Sequence, residues 1–341
     1  MTSTVVHKSF LKSTAGERLL GFAAASVFSV TYYLAPAWIL CAVVLAAFRP
    51  FDRLTLVVAG PVFVSLLLPS SIAANVGKRV LRSYPFQQIP KYFAYEEYHE
   101  FSDDDVGKAI HISGDRFVFA CHPHGVFPFV ATCAMLSTLG APSDTGVSRY
   151  EHGQPSEDTP TAVASVLLRI PILKEITGMF GIIDASSDVL ANRLKRGSFA
   201  LYVGGLVEIF LSSRERETVV LRRRKGFIKL ALQSGAKIVP VYLFGNTTCL
   251  SALTSGPLAA LSRKFGVSLT LFWGRWGLPL PRPVKLVYAR GRPIDLPHIP
   301  NPTQADIDKW HLHYCDKLLT LFDAYKSKNP DYANKTLDIA G

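Results

Sequence analysis

Arg116-Phe117-Val118-Phe119-Ala120-Cys121-His122-Pro123-His124-Gly125 is the stretch on which the reading of this chain turns. Arg116–Cys121 is a short apolar run of the kind that makes a buried strand. It runs straight into two histidines, and no formally charged residue follows Arg116 until Asp144. Pro123 biases His122 toward an extended conformation, which puts imidazoles at i and i+2 on roughly one side. Gly125 permits a positive φ or close approach of a ligand to the backbone. Histidine is the side chain best matched to general-base work near neutral pH. Two other readings stay open at this point. The pair could be satisfied polar residues at a strand end, or a His-x-His metal site. Further ligands would then come from His111, His311 or His313, and the last two point apart on a helix and read as a solvated face.

Downstream, strands and helices alternate. Phe199–Val203, Thr218–Leu221 and Val284–Arg290 read as strands, and Gly226–Ser234 has helical spacing with Gly235 as its stop. Lys237–Phe244 is strand-like, but Pro240 removes a ladder donor and points to an edge or a bulge. Thr303–Lys326 is the clearest helix, with a Thr303/Asp306 capping pair and one apolar face. This alternation predicts a mixed α/β sheet. Ser143–Pro160, rich in Gly, Pro, Ser and acidic residues, reads as an exposed mobile loop. The uncharged run Leu243–Ser262 is too broken by glycine and proline for a membrane span and could graze a membrane surface.

Two further clusters carry chemistry. Tyr202-Val203-Gly204-Gly205-Leu206-Val207-Glu208 takes a strand into paired glycines and then a carboxylate. The glycines allow close backbone approach to a substrate, and Glu208 could orient a histidine or bind a hydroxyl. Arg222-Arg223-Arg224-Lys225-Gly226 places four cations at a helix start, where free N–H groups add to the charge, a good arrangement for phosphate. One such cluster is no nucleic-acid recognition surface. A G-x-S-x-G elbow and a P-loop are both missing from the sequence, which counts against an α/β hydrolase and a P-loop nucleotide hydrolase.

The chain has 341 residues, 49% apolar and only 18% charged, with 37 Lys+Arg against 26 Asp+Glu. The charged share is below the ~25% of soluble domains. Five cysteines without a CxxC pair exclude a disulfide framework. The missing charge is concentrated near the N-terminus. No charged residue occurs in Leu19–Phe48, nor in Leu54–Gly77, and the link Arg49–Arg53 is short enough to force the two antiparallel. Each segment is long enough to cross a bilayer core, although Pro36, Pro61 and Pro69 could kink a helix or mark a segment that re-enters. A soluble core hairpin is rarely uncharged over this length, and a signal peptide has a shorter apolar region. Lys8, Lys12 and Arg18 before the hairpin, with Lys78, Arg79 and Arg82 after it, put both ends in the cytosol.

These motifs, in this order, resemble the type-2 diacylglycerol acyltransferase family, which includes monoacylglycerol and wax-alcohol acyltransferases. The HPHG motif is complete at His122–Gly125. The Gly-Gly-x-x-Glu block matches Gly204, Gly205 and Glu208. The basic block matches Arg222, Arg224, Lys225, Gly226 and Phe227. The chain departs from the family pattern at Ala94 (proline in a Tyr-Phe-Pro element), at Ser187 (arginine in Ser-Arg-Asp) and at Asn246 (an acidic residue). The superfamily's aspartate five residues after the histidine is replaced by Phe129.

The resemblance implies a glycerolipid-acyltransferase-like mixed α/β domain behind a transmembrane or re-entrant hairpin. Residues 1–18 would be a cytosolic tail, 19–77 the hairpin, 83–328 the acyltransferase domain and 329–341 a C-terminal tail. It implies transfer from acyl-CoA to diacylglycerol, with monoacylglycerol or a fatty alcohol as alternative acceptors. His124 would be the base, His122 secondary, and Glu208 the group that orients His124, with Asp188 as the weaker choice. Pro123, Gly125, Gly204, Gly205, Arg222, Arg224, Lys225 and Gly226 would bind substrate, the basic run taking the CoA phosphates. Acyl-CoA would be a co-substrate, with no metal or other cofactor. The expected setting is the endoplasmic-reticulum membrane or a lipid-droplet surface, with membrane lipid as partner, no nucleic acid, and oligomeric state open. A metal-dependent membrane hydrolase and a non-catalytic lipid-binding protein are the rivals from other classes.

Overall fold

A computed structural model describes residues 5–68, 70–140, 159–205, 207–211, 216–256 and 271–341. The loop expected within Ser143–Pro160 falls almost wholly outside the described residues, as does the end of the run Leu243–Ser262. The chain enters on strand β1 (Val6–Ser9) and then starts helix α1 (Ala15–Phe48). The Glu17 N–H donates to the Thr14 hydroxyl at 3.2 Å, and the Thr14 N–H donates to the Glu17 carboxylate at 2.7 Å. This reciprocal cap satisfies donors that a helix start otherwise leaves orphaned. At 1.5 Å per residue α1 is about 51 Å long.

Two halves of α1 pack differently. Gly21, Ala24, Ala25 and Phe28 are buried against the body of the domain. Gly21 has to be glycine, because a Cβ there would sit 2.3 Å from the Gln88 carbonyl oxygen. The outer half meets helix α2 (Arg53–Leu67), with the Trp38 indole N–H donating to the Val58 carbonyl at 2.9 Å. Their outward side chains, among them Leu40, Val43, Phe48, Val57, Phe63 and Leu67, are exposed. Exposed apolar side chains in such number fit a membrane protein.

The second uncharged segment differs from the expectation that it is long enough to span. It breaks at Leu68, which is extended (φ −80°, ψ 135°), and restarts as helix α3 (Ser70–Leu81). The fifteen residues of α2 reach about 22 Å, short of a hydrocarbon core of about 30 Å. Among the described residues only α1 is long and apolar enough to cross a membrane.

Short helices α4 (Tyr84–Gln87) and α5 (Ile89–Tyr92) lead to β2 (Glu96–His99), α6 (Asp103–His111), β3 (Phe117–His122) and α7 (Phe129–Thr138). Then follow β4 (Thr161–Val163), α8 (Leu173–Gly178), β5 (Ile182–Asp184), α9 (Ser187–Leu194), β6 (Phe199–Tyr202), α10 (Val207–Leu211) and β7 (Glu217–Val220). The chain continues with α11 (Gly226–Ser234), β8 (Lys237–Phe244), β9 (Ser251–Ala252), β10 (Phe272–Trp273), β11 (Val287–Arg290), α12 (Gln304–Tyr325) and β12 (Leu337–Ala340). Among the described residues eight strands form one sheet in the order β1-β2-β11-β8-β3-β6-β4-β5. The run β8-β3-β6-β4-β5 is parallel throughout, as a chain alternating strands with helices requires.

Alternate residues of the strands build two cores. Phe117, Phe119, Cys121, Val239, Val241 and Leu243 face α1, α5 and α7. Val118, Ala120, Ile238, Tyr242 and Phe244 face α11 and α12. We call the first the membrane face, after the long apolar helix α1 that covers it, and the second the water face. The C-terminal helix has the expected cap, with Asp306 N–H donating to the Thr303 hydroxyl at 3.2 Å, and Gly235 ends α11 at φ +66°.

Three expectations need correction. Pro240 lies in β8, a central strand, and not at an edge. Its carbonyl accepts from Gly291 N–H at 2.9 Å, so its missing donor faces the flank where β11 has already ended at Arg290, and the ladder to β3 loses nothing. Residues 1–18 are not merely a tail, because β1 joins the main sheet and the buried Lys8 pairs with Asp103 at 2.7 Å. Residues 329–341 carry β12, which pairs in parallel with β7.

Candidate active site

Strands β3, β6 and β8 run parallel and finish at one edge of the sheet, the place where open α/β sheets bind ligands. His122 is the last residue of β3, Gly204-Gly205 follow β6, and Gly245-Asn246 follow β8. The two imidazoles do not share a side. The His122–Pro123 peptide is cis, and the rings part at this turn. His122 is fully buried on the water face, its Nε2 3.1 Å from the Tyr314 hydroxyl of α12. His124 lies on the membrane face, its ring centroid 4.9 Å from that of Tyr202.

Glu208 holds the turn together. It is fully buried. One carboxylate oxygen accepts from the His124 backbone N–H at 2.8 Å, and the other accepts from Val220 N–H at 3.0 Å. That second oxygen also lies 3.5 Å from His122 Nδ1. Glu208 therefore fixes the backbone of His124 and faces the ring of His122; it does not orient the His124 ring. Gly204 is required for this, since a Cβ there would fall 2.0 Å from the carboxyl group. Gly205 adopts φ +60°, turning the chain into α10.

The His124 ring is set by its own neighbour. Nδ1 lies 2.7 Å from the Gly125 carbonyl oxygen, which can only accept, so Nδ1 carries the proton and Nε2 bears the lone pair. Nε2 makes no hydrogen bond among the described residues. Burial pushes the imidazole pKa down, with the Gly125 carbonyl and the Glu208 charge opposing in part. A neutral ring with an open Nε2 is a base ready for use. The Tyr202 hydroxyl beside it is buried and has no partner among the described residues. Burial holds its phenol well above the ordinary range, so it stays a donor.

Asn246 was legible only as a departure from the family pattern, yet it closes the site from below. Its amide NH₂ donates to the Pro123 carbonyl at 3.1 Å and to the His124 carbonyl at 2.6 Å. Its oxygen accepts from Val130 N–H at 3.3 Å. An aspartate has no donor for those carbonyls. Gly125, at φ +65°, packs so closely on Asn246 that a Cβ would meet its carbonyl oxygen at 2.7 Å.

The basic run is adjacent to this network and outside it. It follows β7, whose Val220 N–H binds Glu208. Arg222 donates to the Ile339 carbonyl at 2.8 Å, and Lys225 pairs with Asp308 at 2.7 Å. Arg224 is exposed and makes no such bond, and Gly226 opens α11. None of these cations pairs with either imidazole. Asp188 is exposed in the first turn of α9 and makes no contact with His124. His311 is buried, donating to the Leu221 carbonyl at 2.9 Å, and is not on a solvated face. Among the described residues no three His, Cys, Asp or Glu side chains are placed to hold a metal ion.

The profile of the diacylglycerol acyltransferase family matches residues 74–339. The chain belongs to the diacylglycerol acyltransferase family. Every candidate residue from His122 to Gly226 lies inside the matched span. Diacylglycerol O-acyltransferase 2 of Dictyostelium discoideum is 32% identical over 241 residues, 66% of this chain and 70% of that protein. The Homo sapiens protein of that name is 33% identical, over 62% of this chain and 57% of its own length. The Xenopus tropicalis protein is 32% identical, over 66% and 64%. The match thus spans 57% of the human relative's length and 64% of the frog's. Among solved structures, the 1-acyl-sn-glycerophosphate acyltransferase PlsC of Thermotoga maritima aligns over 87% of this chain and 94% of its own. Its sequence identity is 13% and the TM-score 0.39, too loose a likeness to bear on the site.

Proposed function

We propose that this family member transfers an acyl group from acyl-CoA to the free hydroxyl of diacylglycerol, with His124 as general base. The observation that carries this is the open Nε2 lone pair of a neutral, half-buried His124 whose tautomer is set by the Gly125 carbonyl. Nε2 takes the hydroxyl proton as the oxygen attacks the thioester carbonyl carbon. The tetrahedral intermediate collapses with cleavage of the C–S bond, and the proton on Nε2 passes to the departing CoA sulfur. Such a base contributes typically ~10²–10⁴-fold. The oxyanion is met by backbone donors, and the N–H groups of Gly125 and Val126, which make no hydrogen bond among the described residues, are available. Lipid acceptor reaches His124 from the membrane face. The CoA phosphates meet Arg224 and its neighbours on the water face.

Labelled acyl-CoA is added to membranes holding the chain, with diacylglycerol, monoacylglycerol or a long-chain alcohol as acceptor, and the products are separated by thin-layer chromatography. Triacylglycerol is the expected product, absent in His124→Ala. Product from the alcohol alone would sink the choice of acceptor, and normal turnover in His124→Ala would sink the base.

A further inference from the structure

Residues 271–280 turn apolar side chains outward beside α1. Leu271, Trp273, Trp276 and Leu278 are all exposed, Trp276 at 68%. An exposed indole of this kind is not a loose end here, because the segment is tightly folded. Gly274 N–H donates to the Leu278 carbonyl, and Arg275 N–H to the Leu280 carbonyl, both at 2.7 Å. Trp276 is held at φ +57°, a left-handed backbone that bulky residues rarely adopt. The turn thus presents its tryptophan in one fixed direction.

The segment is docked on α1 at two levels. Phe272 lies 5.0 Å from the Tyr33 ring, and Trp276 meets Phe22 edge-on at 6.1 Å. Eleven residues of α1 separate these contacts, about 16 Å along the helix. Along the same stretch α1 exposes Leu19, Leu20, Val27 and Leu34, so the helix on which the segment docks also turns apolar side chains outward. The Arg275 guanidinium stacks 4.2 Å over the Trp276 ring and 5.3 Å over Phe22. An indole beside a guanidinium, next to aliphatic side chains, matches the layered chemistry of a bilayer boundary: acyl chains, then carbonyls, then phosphates.

We propose that residues 271–280 form a second membrane contact, lying in the interface of the leaflet that the hairpin enters. Leu271, Trp273, Trp276 and Leu278 sit at the acyl–headgroup boundary, and Arg275 meets lipid phosphate. With the hairpin on one side and this turn on the other, the domain is held at two points, which sets its tilt. The inference rests on the docking of this exposed apolar turn on the long apolar helix α1 and does not depend on the acyl-transfer reading.

The test uses the full chain in vesicles of phosphatidylcholine and phosphatidylserine. In a Cys41→Ser background the remaining four cysteines are buried, so Leu278→Cys can be labelled with an environment-sensitive fluorophore. Leu312→Cys, exposed on α12, is the reference. The expected result is strong quenching at position 278 by lipid bearing a nitroxide near the top of its acyl chain, with shielding from aqueous iodide. The reference should show the reverse. Iodide quenching at 278 equal to that at 312 would overturn the proposal. Shielding from both quenchers would also overturn it, by pointing to a protein partner or a second copy. A label-free check compares the wild type with Trp276→Phe in brominated-lipid vesicles. The lipid-quenchable share of tryptophan emission should drop, and an unchanged share counts against the contact.

Discussion

The turn that follows β3 sends one histidine to each face of the central sheet, in opposite circumstances. On the water face His122 is fully enclosed, with Tyr314 at one ring nitrogen and Glu208 near the other. On the membrane face His124 has one nitrogen committed to the Gly125 carbonyl and the other open. Two side chains of the same type, two residues apart, are thus divided into an enclosed ring and one with an open nitrogen. The neighbours that each ring meets across the sheet make that division.

The comparison breaks most directly at the histidines themselves. His124→Ala is expected to lower acyl transfer by ~10²–10⁴-fold with an unchanged melting temperature. His122→Ala should lower the melting temperature and reduce transfer by far less. Equal losses of transfer in the two variants would dissolve the distinction. The next effect is that of Glu208→Gln, which bridges the faces. The two carboxylate oxygens accept from His124 N–H and Val220 N–H, and glutamine has only one oxygen to offer, so one of these two N–H groups loses its partner. A buried unsatisfied donor costs about 1–3 kcal/mol, read as a lower unfolding midpoint, and transfer should fall with it. Wild-type stability in Glu208→Gln would contradict the bridging geometry.

Asn246→Asp tests the membrane-side turn more finely. It removes both donors to the Pro123 and His124 carbonyls while keeping the volume, so transfer should drop by about tenfold, the scale of one such unpaired group. The pH profile sharpens the state of His124. Burial lowers its pKa, so the ring stays neutral further into acid than an ordinary histidine. Protonation removes the lone pair, so kcat/KM should fall as pH drops through a value below the ordinary ~6.5. An acid limb above that value would refute the assignment. The smallest effect is expected on the water face. Arg224→Ala should raise the acyl-CoA KM about two- to fivefold, the scale of an exposed ion pair. Lys225→Ala should do less, because Asp308 already neutralises it.

What could be read from the sequence was local. The ends of α11 and α12 follow from Gly235 and from the Thr303–Asp306 cap, interactions that span a few residues. The strand leading into His122 was likewise legible from its apolar run. The placements that escaped reading depend on distant chain. Pro240 is tolerated centrally because β11 ends where its donor is missing, some fifty residues away in sequence. The second apolar segment contains a break at Leu68, where Lys174 of α8 donates to the carbonyl at 2.8 Å. Asn246 was noticed as an exception, but its role needs the turn at residues 123 and 124 to lie across from it. Glu208 is legible as a carboxylate placed after paired glycines. Its attachment to a backbone N–H, and not to the His124 ring, is a matter of tertiary geometry.

One feature of α1 reaches beyond its packing. Gly21 lies against Gln88 without room for a Cβ, so this helix is seated on the catalytic body at one level and cannot slide. The same unbroken helix carries the apolar arm outward. It therefore works as a ruler, translating residue count into the distance between the domain body and the tip of the apolar arm. Adding one residue between Phe28 and Phe48 would lengthen the ruler by about 1.5 Å and rotate the arm by about 100°.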